Sequence, residues 1–123
     1  MLTASMKFFP IRMAAYRRGE VELEIAVENS TNDDKWVECD VVIPEAISLA
    51  PDKTLTKGRL RVGIVKPGGR ASKKLKIYGG ASSYPDDYSV RLTMFGFGRD
   101  GVISEREEKR SFLRCERLGN ESP

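Results

Sequence analysis

The chain of 123 residues has no histidine and no glutamine, and few asparagines. Without imidazole there is no Ser-His or Cys-His couple and no histidine ligand for zinc. Only two cysteines occur, Cys39 and Cys115, with no CxxC spacing. They fall on segments that would not face each other in a sandwich, so they are expected to be free thiols in a reducing compartment. No apolar run approaches the length of a membrane span. Lys7, Pro10 and Arg12 interrupt Met1–Arg18, so that stretch does not read as a secretory leader. A cytoplasmic location without membrane contact is the expectation. Scarce amides beside abundant Glu, Lys and Arg give a thermophile-like bias. The net charge of +3 permits weak attraction to polyanions but falls short of a dedicated nucleic-acid binder.

Acidic pairs and glycine loops add no chemistry. Asp33-Asp34 and Asp86-Asp87 could meet at one end of a sandwich and hold Ca²⁺, but neither carries the alternating oxygen ligands of an EF-hand loop. Both are read as solvated turn residues. Gly96-Phe97-Gly98 reads as part of a hairpin, not a phosphate loop. The expectation is therefore a non-enzymatic chain with no catalytic residue, metal, cofactor or small-molecule substrate.

What is present is period-two alternation in seven or eight short segments from Phe9 to about Cys115. Phe9, Ile11, Met13 and Ala15 share one face of the first. Val21, Leu23, Ile25 and Val27 alternate with Glu22, Glu24, Ala26 and Glu28 in the second. Val37, Cys39, Val41 and Ile43 form one face of the third. Ile47 and Leu49 mark a short piece; Leu60, Val62 and Ile64 are expected inward on Arg59–Val65, and Leu75 and Ile77 anchor Ala71–Tyr78. Tyr88, Val90, Leu92 and Met94 alternate with Ser89, Arg91, Thr93 and Phe95. Lys66-Pro67-Gly68-Gly69 and Arg99-Asp100-Gly101 supply turns. Ser104–Arg117 is rich in helix formers, but a hairpin turn after a strong strand favours an antiparallel return strand. Length and pattern describe one domain over residues 1–118, with a loose, disordered tail over 119–123.

Val27-Glu28-Asn29, Val42-Ile43-Pro44, Lys66-Pro67-Gly68 and Tyr84-Pro85-Asp86-Asp87-Tyr88-Ser89-Val90 follow one another in an order that resembles prokaryotic immunoglobulin-like modules of the cell-adhesion-related and appendage-like type. The resemblance spans roughly residues 20 to 100. It implies an all-β fold, an antiparallel two-sheet immunoglobulin-like sandwich of seven to eight strands. It also implies a tyrosine at Tyr88 bonded to its own corner. The antibody-type cysteine pair is missing.

On that arrangement the first two strands, Arg59–Val65 and Ala71–Tyr78 form one sheet, and the remaining strands the other. Burying Val37, Cys39, Val41 and Ile43 sends Trp36 and Val42 outward or to the strand end, and the same logic sends Phe95 outward. Trp36, Val42, Phe95 and Phe97 or Phe112 would form an apolar patch, a surface for a protein partner or a homodimer. The other reading has Trp36 folded over the sandwich end. A second, basic edge of Arg59, Arg61, Lys66, Arg70 and Lys73 is the alternative site, for nucleic acid or another polyanion; the other reading of that sheet is a ladder of ion pairs in which Glu22 and Glu24 lie beside Lys74 and Lys76, and those beside Arg59 and Arg61.

Overall fold

Among the described residues, alternating aliphatic and polar side chains fold into eight strands without a helix: β1 (Leu2–Phe9), β2 (Arg12–Ala14), β3 (Gly19–Asn29), β4 (Lys35–Val42), β5 (Lys57–Val65), β6 (Arg70–Gly79), β7 (Asp86–Phe97) and β8 (Ile103–Glu116). The computed structural model describes residues 1–117. The tail expected over 119–123 lies outside them. The strands make a three-stranded sheet, β1-β3-β6, and a five-stranded sheet, β2-β8-β7-β4-β5. Pairing is antiparallel except between β2 and β8. The five-stranded sheet curls into a half-barrel.

The core lies between the sheets. Leu23, Ile25, Val27 and Ile77 on one side meet Val37, Cys39, Val41, Val90, Leu92, Met94 and Leu113 on the other, all almost wholly buried. Both cysteines are free thiols within it. At one end, Asn29 donates from Nδ2 to the Val65 and Asp33 carbonyls at 2.9 and 2.8 Å. Its Oδ1 accepts from the Thr31 amide at 2.9 Å, so one buried side chain ties β3, β5 and the following loop together. At the other end Tyr88 donates its hydroxyl proton to the Tyr84 carbonyl.

Three expectations need correction. Strand structure begins at Leu2, not Phe9, and the chain changes sheets around Pro10. Phe9 and Ile11 therefore stand in solvent, 76 % and 78 % exposed, while Met13 and Ala15 are buried. β5 pairs with β4 rather than joining the sheet of β3 and β6, so Lys74 and Lys76 do not continue into Arg59 and Arg61. Ile64 is outward and 60 % exposed. A bulge causes this: Val37 opposes Gly63 and Glu38 opposes Arg61, leaving Val62 as the extra residue. The acidic pairs Asp33-Asp34 and Asp86-Asp87, read from the sequence as solvated turn residues, lie far apart. Antiparallel pairing of Trp36 with Phe97 puts the first pair near the end of β7 and the second at its start.

The helix-forming composition of β8 does not decide its structure. It pairs with β7 along nearly its full length, from Asp86–Cys115 to Phe97–Ile103.

Candidate interaction face on the five-stranded sheet

Strand registers turn the outer face of the five-stranded sheet into a grid with one row for every second residue. In the first row Ile103, Phe97, Trp36 and Ile64 are neighbours across β8, β7, β4 and β5. Three inter-strand gaps make this row about 14 Å wide. Ile64, Ile103 and Trp36 are exposed, and Val102 adds a further exposed aliphatic beside Ile103. Two bulges build the row. The one at Val62 turns Ile64 out. The other lies where Gly96 opposes Glu105 and Phe97 opposes Ile103, so that Ser104 is extra and Ile103 joins the outward side. Bulges re-aim side chains in this way at sheet edges.

The second row is Arg106, Phe95, Glu38 and Arg61; the third is Glu108, Thr93, Asp40 and Arg59. The Phe95 ring lies between the Arg59 and Arg106 guanidiniums, whose carbons are 5.4 and 5.9 Å from its centre. Arg59 bonds both Asp40 oxygens at 2.7 and 3.0 Å and reaches Glu38 at 3.3 Å. The hydrogen bond from Arg59 holds the Asp40 carboxyl below its ordinary range. Glu38 also accepts from Trp36 Nε1 at 2.7 Å, which holds the indole against the second row.

The fourth row is Arg110, Arg91, Val42 and Lys57. No ion pair engages Arg110, Arg91 or Lys57 among the described residues. Between the second and fourth rows runs a groove of about 660 Å³ whose lining includes Lys57, Arg59, Arg91 and Arg106, with Asp40 and Glu108.

The structure thus sets Trp36, Phe97, Phe95 and Val42 on a single face. Trp36 and Phe97 are direct partners, and Phe95 is one row away under its arginines. Val42 lies three rows from Trp36 and belongs to the basic end. Phe112 is exposed one row beyond Val42. The basic-edge residues are not gathered. Arg59 and Arg61 lie on this face, Arg70 on β6 of the other sheet near Glu28 at 3.9 Å, and Lys66 in the turn between. Lys73 is exposed on β6, opposite Ile25. The outer face of the three-stranded sheet is an ion-pair ladder, Lys74 with Glu22 at 3.9 Å and Lys76 with Glu20 at 3.4 Å.

Sequence reasoning missed Ile64, Ile103, Lys57, Arg91, Arg106 and Arg110. For the first two a signal existed, since an isolated glycine in a strand pattern marks a bulge, and Gly63 and Gly96 stand beside the two irregularities. The basic residues come from three strands, and only the register unites them. Among the described residues no group of acidic, cysteine or histidine side chains is arranged to hold a metal.

No protein-family model matches the chain, and no characterised protein matches it in sequence. Among solved structures it is similar to part of alpha-2-macroglobulin from E. coli, with a TM-score of 0.62 and 13 % identity over 94 % of this chain and 7 % of that one. It is also similar to the sporulation control protein Spo0M from Bacillus subtilis, at 0.56 and 10 % over 95 % of this chain and 50 % of that one. A third is a non-cellulosomal cohesin from the archaeon Archaeoglobus fulgidus, at 0.50 and 12 % over 97 % and 94 %. The chain spans at most half the length of the first two. At such identities the likeness is one of fold, an all-β architecture of two sheets.

Proposed function

We propose that this chain is a non-enzymatic, immunoglobulin-like interaction module that docks a protein, another polypeptide or a second copy of itself, through the outer face of the five-stranded sheet. One observation carries the reading: Ile103, Phe97, Trp36 and Ile64 form an unbroken apolar row, whereas each of the next three rows is mostly charged. Two bulges are needed to turn both isoleucines outward, and each costs ladder hydrogen bonds. The stability of the isolated domain gains nothing from an exposed isoleucine, whereas an interface does. Trp and Phe are also the residue types that dominate binding energy at interfaces. The polyanion reading over Arg59, Arg61, Lys66, Arg70 and Lys73 is the weaker one, because those residues are spread over two sheets and a turn.

The test places a photo-reactive phenylalanine analogue at position 36, and in a separate variant at position 22 on the opposite sheet, in cells that express the chain. Position 36 is expected to give a discrete adduct, to a partner or to a second copy, that position 22 does not. The adduct should vanish when Ile64 and Phe97 are both changed to Lys. Equal labelling at the two positions would end the reading.

A further inference from the structure

We propose that the groove between the second and fourth rows receives an acidic, extended segment of a partner protein, its carboxylates held by Lys57 and Arg91 in the groove and by Arg110 next to Arg91. This rests on the reading above that the outer face docks a protein, and it names the chemistry of what docks. Arg91 and Arg110 are direct partners on adjacent antiparallel strands, and like charges so placed repel each other. Elsewhere on the two outer faces charged partners oppose with opposite sign, as in Glu22 with Lys76, Glu24 with Lys74 and Asp40 with Arg59. The other like pair, Arg12 with Arg114, is bridged by Glu116, and Arg114 also bonds Asp87. Among the described residues Arg91 and Arg110 have no such acid, and Lys57 continues their row beyond Val42. Lys57 and Arg91 line the groove of about 660 Å³, Arg110 is the cross-strand neighbour of Arg91, and three cations without an acidic partner among the described residues make a site suited to negative charge.

The layout favours a polypeptide over nucleic acid. Asp40 and Glu108 line the same groove and would repel a phosphate chain laid along it, whereas a peptide can offer carboxylates to the fourth row alone. The first row then takes an apolar side chain of the same segment. The two rows are three two-residue steps apart, about 20 Å, so an extended peptide needs about six residues between anchor and acids. Arginine suits the carboxylate end because its planar donors grip both oxygens.

The full chain is titrated with a synthetic peptide of about twelve residues bearing Leu-Phe at one end and, about six residues on, four consecutive glutamates. The sole tryptophan, Trp36, reports binding by its emission. We expect saturable binding that weakens with salt and falls about tenfold or more when glutamine replaces glutamate. A similar loss is expected when Lys57, Arg91 and Arg110 are changed to Glu, while Lys74→Glu with Lys76→Glu changes little. If the triple variant unfolds by circular dichroism, Arg91→Gln alone must still weaken binding several-fold. Equal affinity for the glutamine peptide, no binding of the acidic peptide, or tighter binding of a single-stranded oligonucleotide of equal charge overturns the proposal. A persistent adduct at position 36 under any of these results leaves the docking function standing, and loss of that adduct removes both.

Discussion

Asn29 shows how much one buried polar side chain can organise. Its amide supplies protons to two carbonyls and its oxygen takes one from Thr31. Asn29→Ala should therefore lower the unfolding free energy by about 1–3 kcal/mol, the cost of stranding buried acceptors, as urea denaturation would measure. A change of only a few tenths would show that water replaces the amide. Cys39 gives a pH signature. Burial, aided by the Asp40 charge, pushes its thiol up to about 12, against about 8.5 in an unfolded chain. The folded state favours the neutral thiol, so this contribution is whole below about pH 8.5. It declines as pH rises towards about 12. Stability is expected to fall across that alkaline window, and Cys39→Ala should flatten the slope. Neither buried thiol should react with an aromatic disulfide reagent until the protein is denatured. Asp40 works in the opposite sense. Its lowered carboxyl keeps the Arg59 pair intact above about pH 4 and releases it on further acidification. The pair is solvated, so its loss should change stability little.

At the scale of the strand, two glycines beside the bulges constrain the chain for different reasons. Gly63 sits at a φ of 99° with open space where a Cβ would stand. Gly63→Val should cost about 1–3 kcal/mol through backbone strain alone, read as a lowered thermal midpoint. Gly96 has an ordinary φ, but an added Cβ would fall 2.4 Å from Leu2 Cδ1. Gly96→Ala should push Leu2 aside and loosen β1, with faster amide exchange over residues 2–9 as the readout. Unchanged exchange there would mean that Leu2 simply turns to another rotamer. β8 illustrates the limit of propensity. Its Glu, Lys and Arg favour a helix locally, yet β7 offers backbone partners along nearly the whole strand, and tertiary pairing outweighs a few tenths of a kcal/mol per residue. Its inward-facing charges still serve the fold, since Glu105 accepts the Leu2 amide at 2.9 Å.

For the molecule as a whole, two sheets share one core, so they should unfold together. Leu92→Ala, at a fully buried position, should cost about 2–5 kcal/mol. It should lower amide protection in both sheets by the same amount if unfolding is a single transition. Loss confined to β4, β7 and β8 would reveal two separable units. Surface charge divides by sheet at this scale. The three-stranded sheet neutralises itself in an ion-pair ladder, while the five-stranded sheet leaves one row apolar and another basic. The first is expected to be inert towards partners and the second to carry association.

Period-two alternation was enough to read an all-β chain, the inward rows of β3, β4 and β7, and the outward turn of Trp36 and Phe95, because side chains change sides at every residue whatever lies across the sheet. The same alternation runs through Leu2, Ala4, Met6 and Phe8, whose side chains turn inward along β1. Sheet membership of β5, the two bulges and the opposition of Arg91 to Arg110 were decided only by tertiary structure. They depend on which strands pair and in what register, and those choices are set by contacts between residues far apart in the chain.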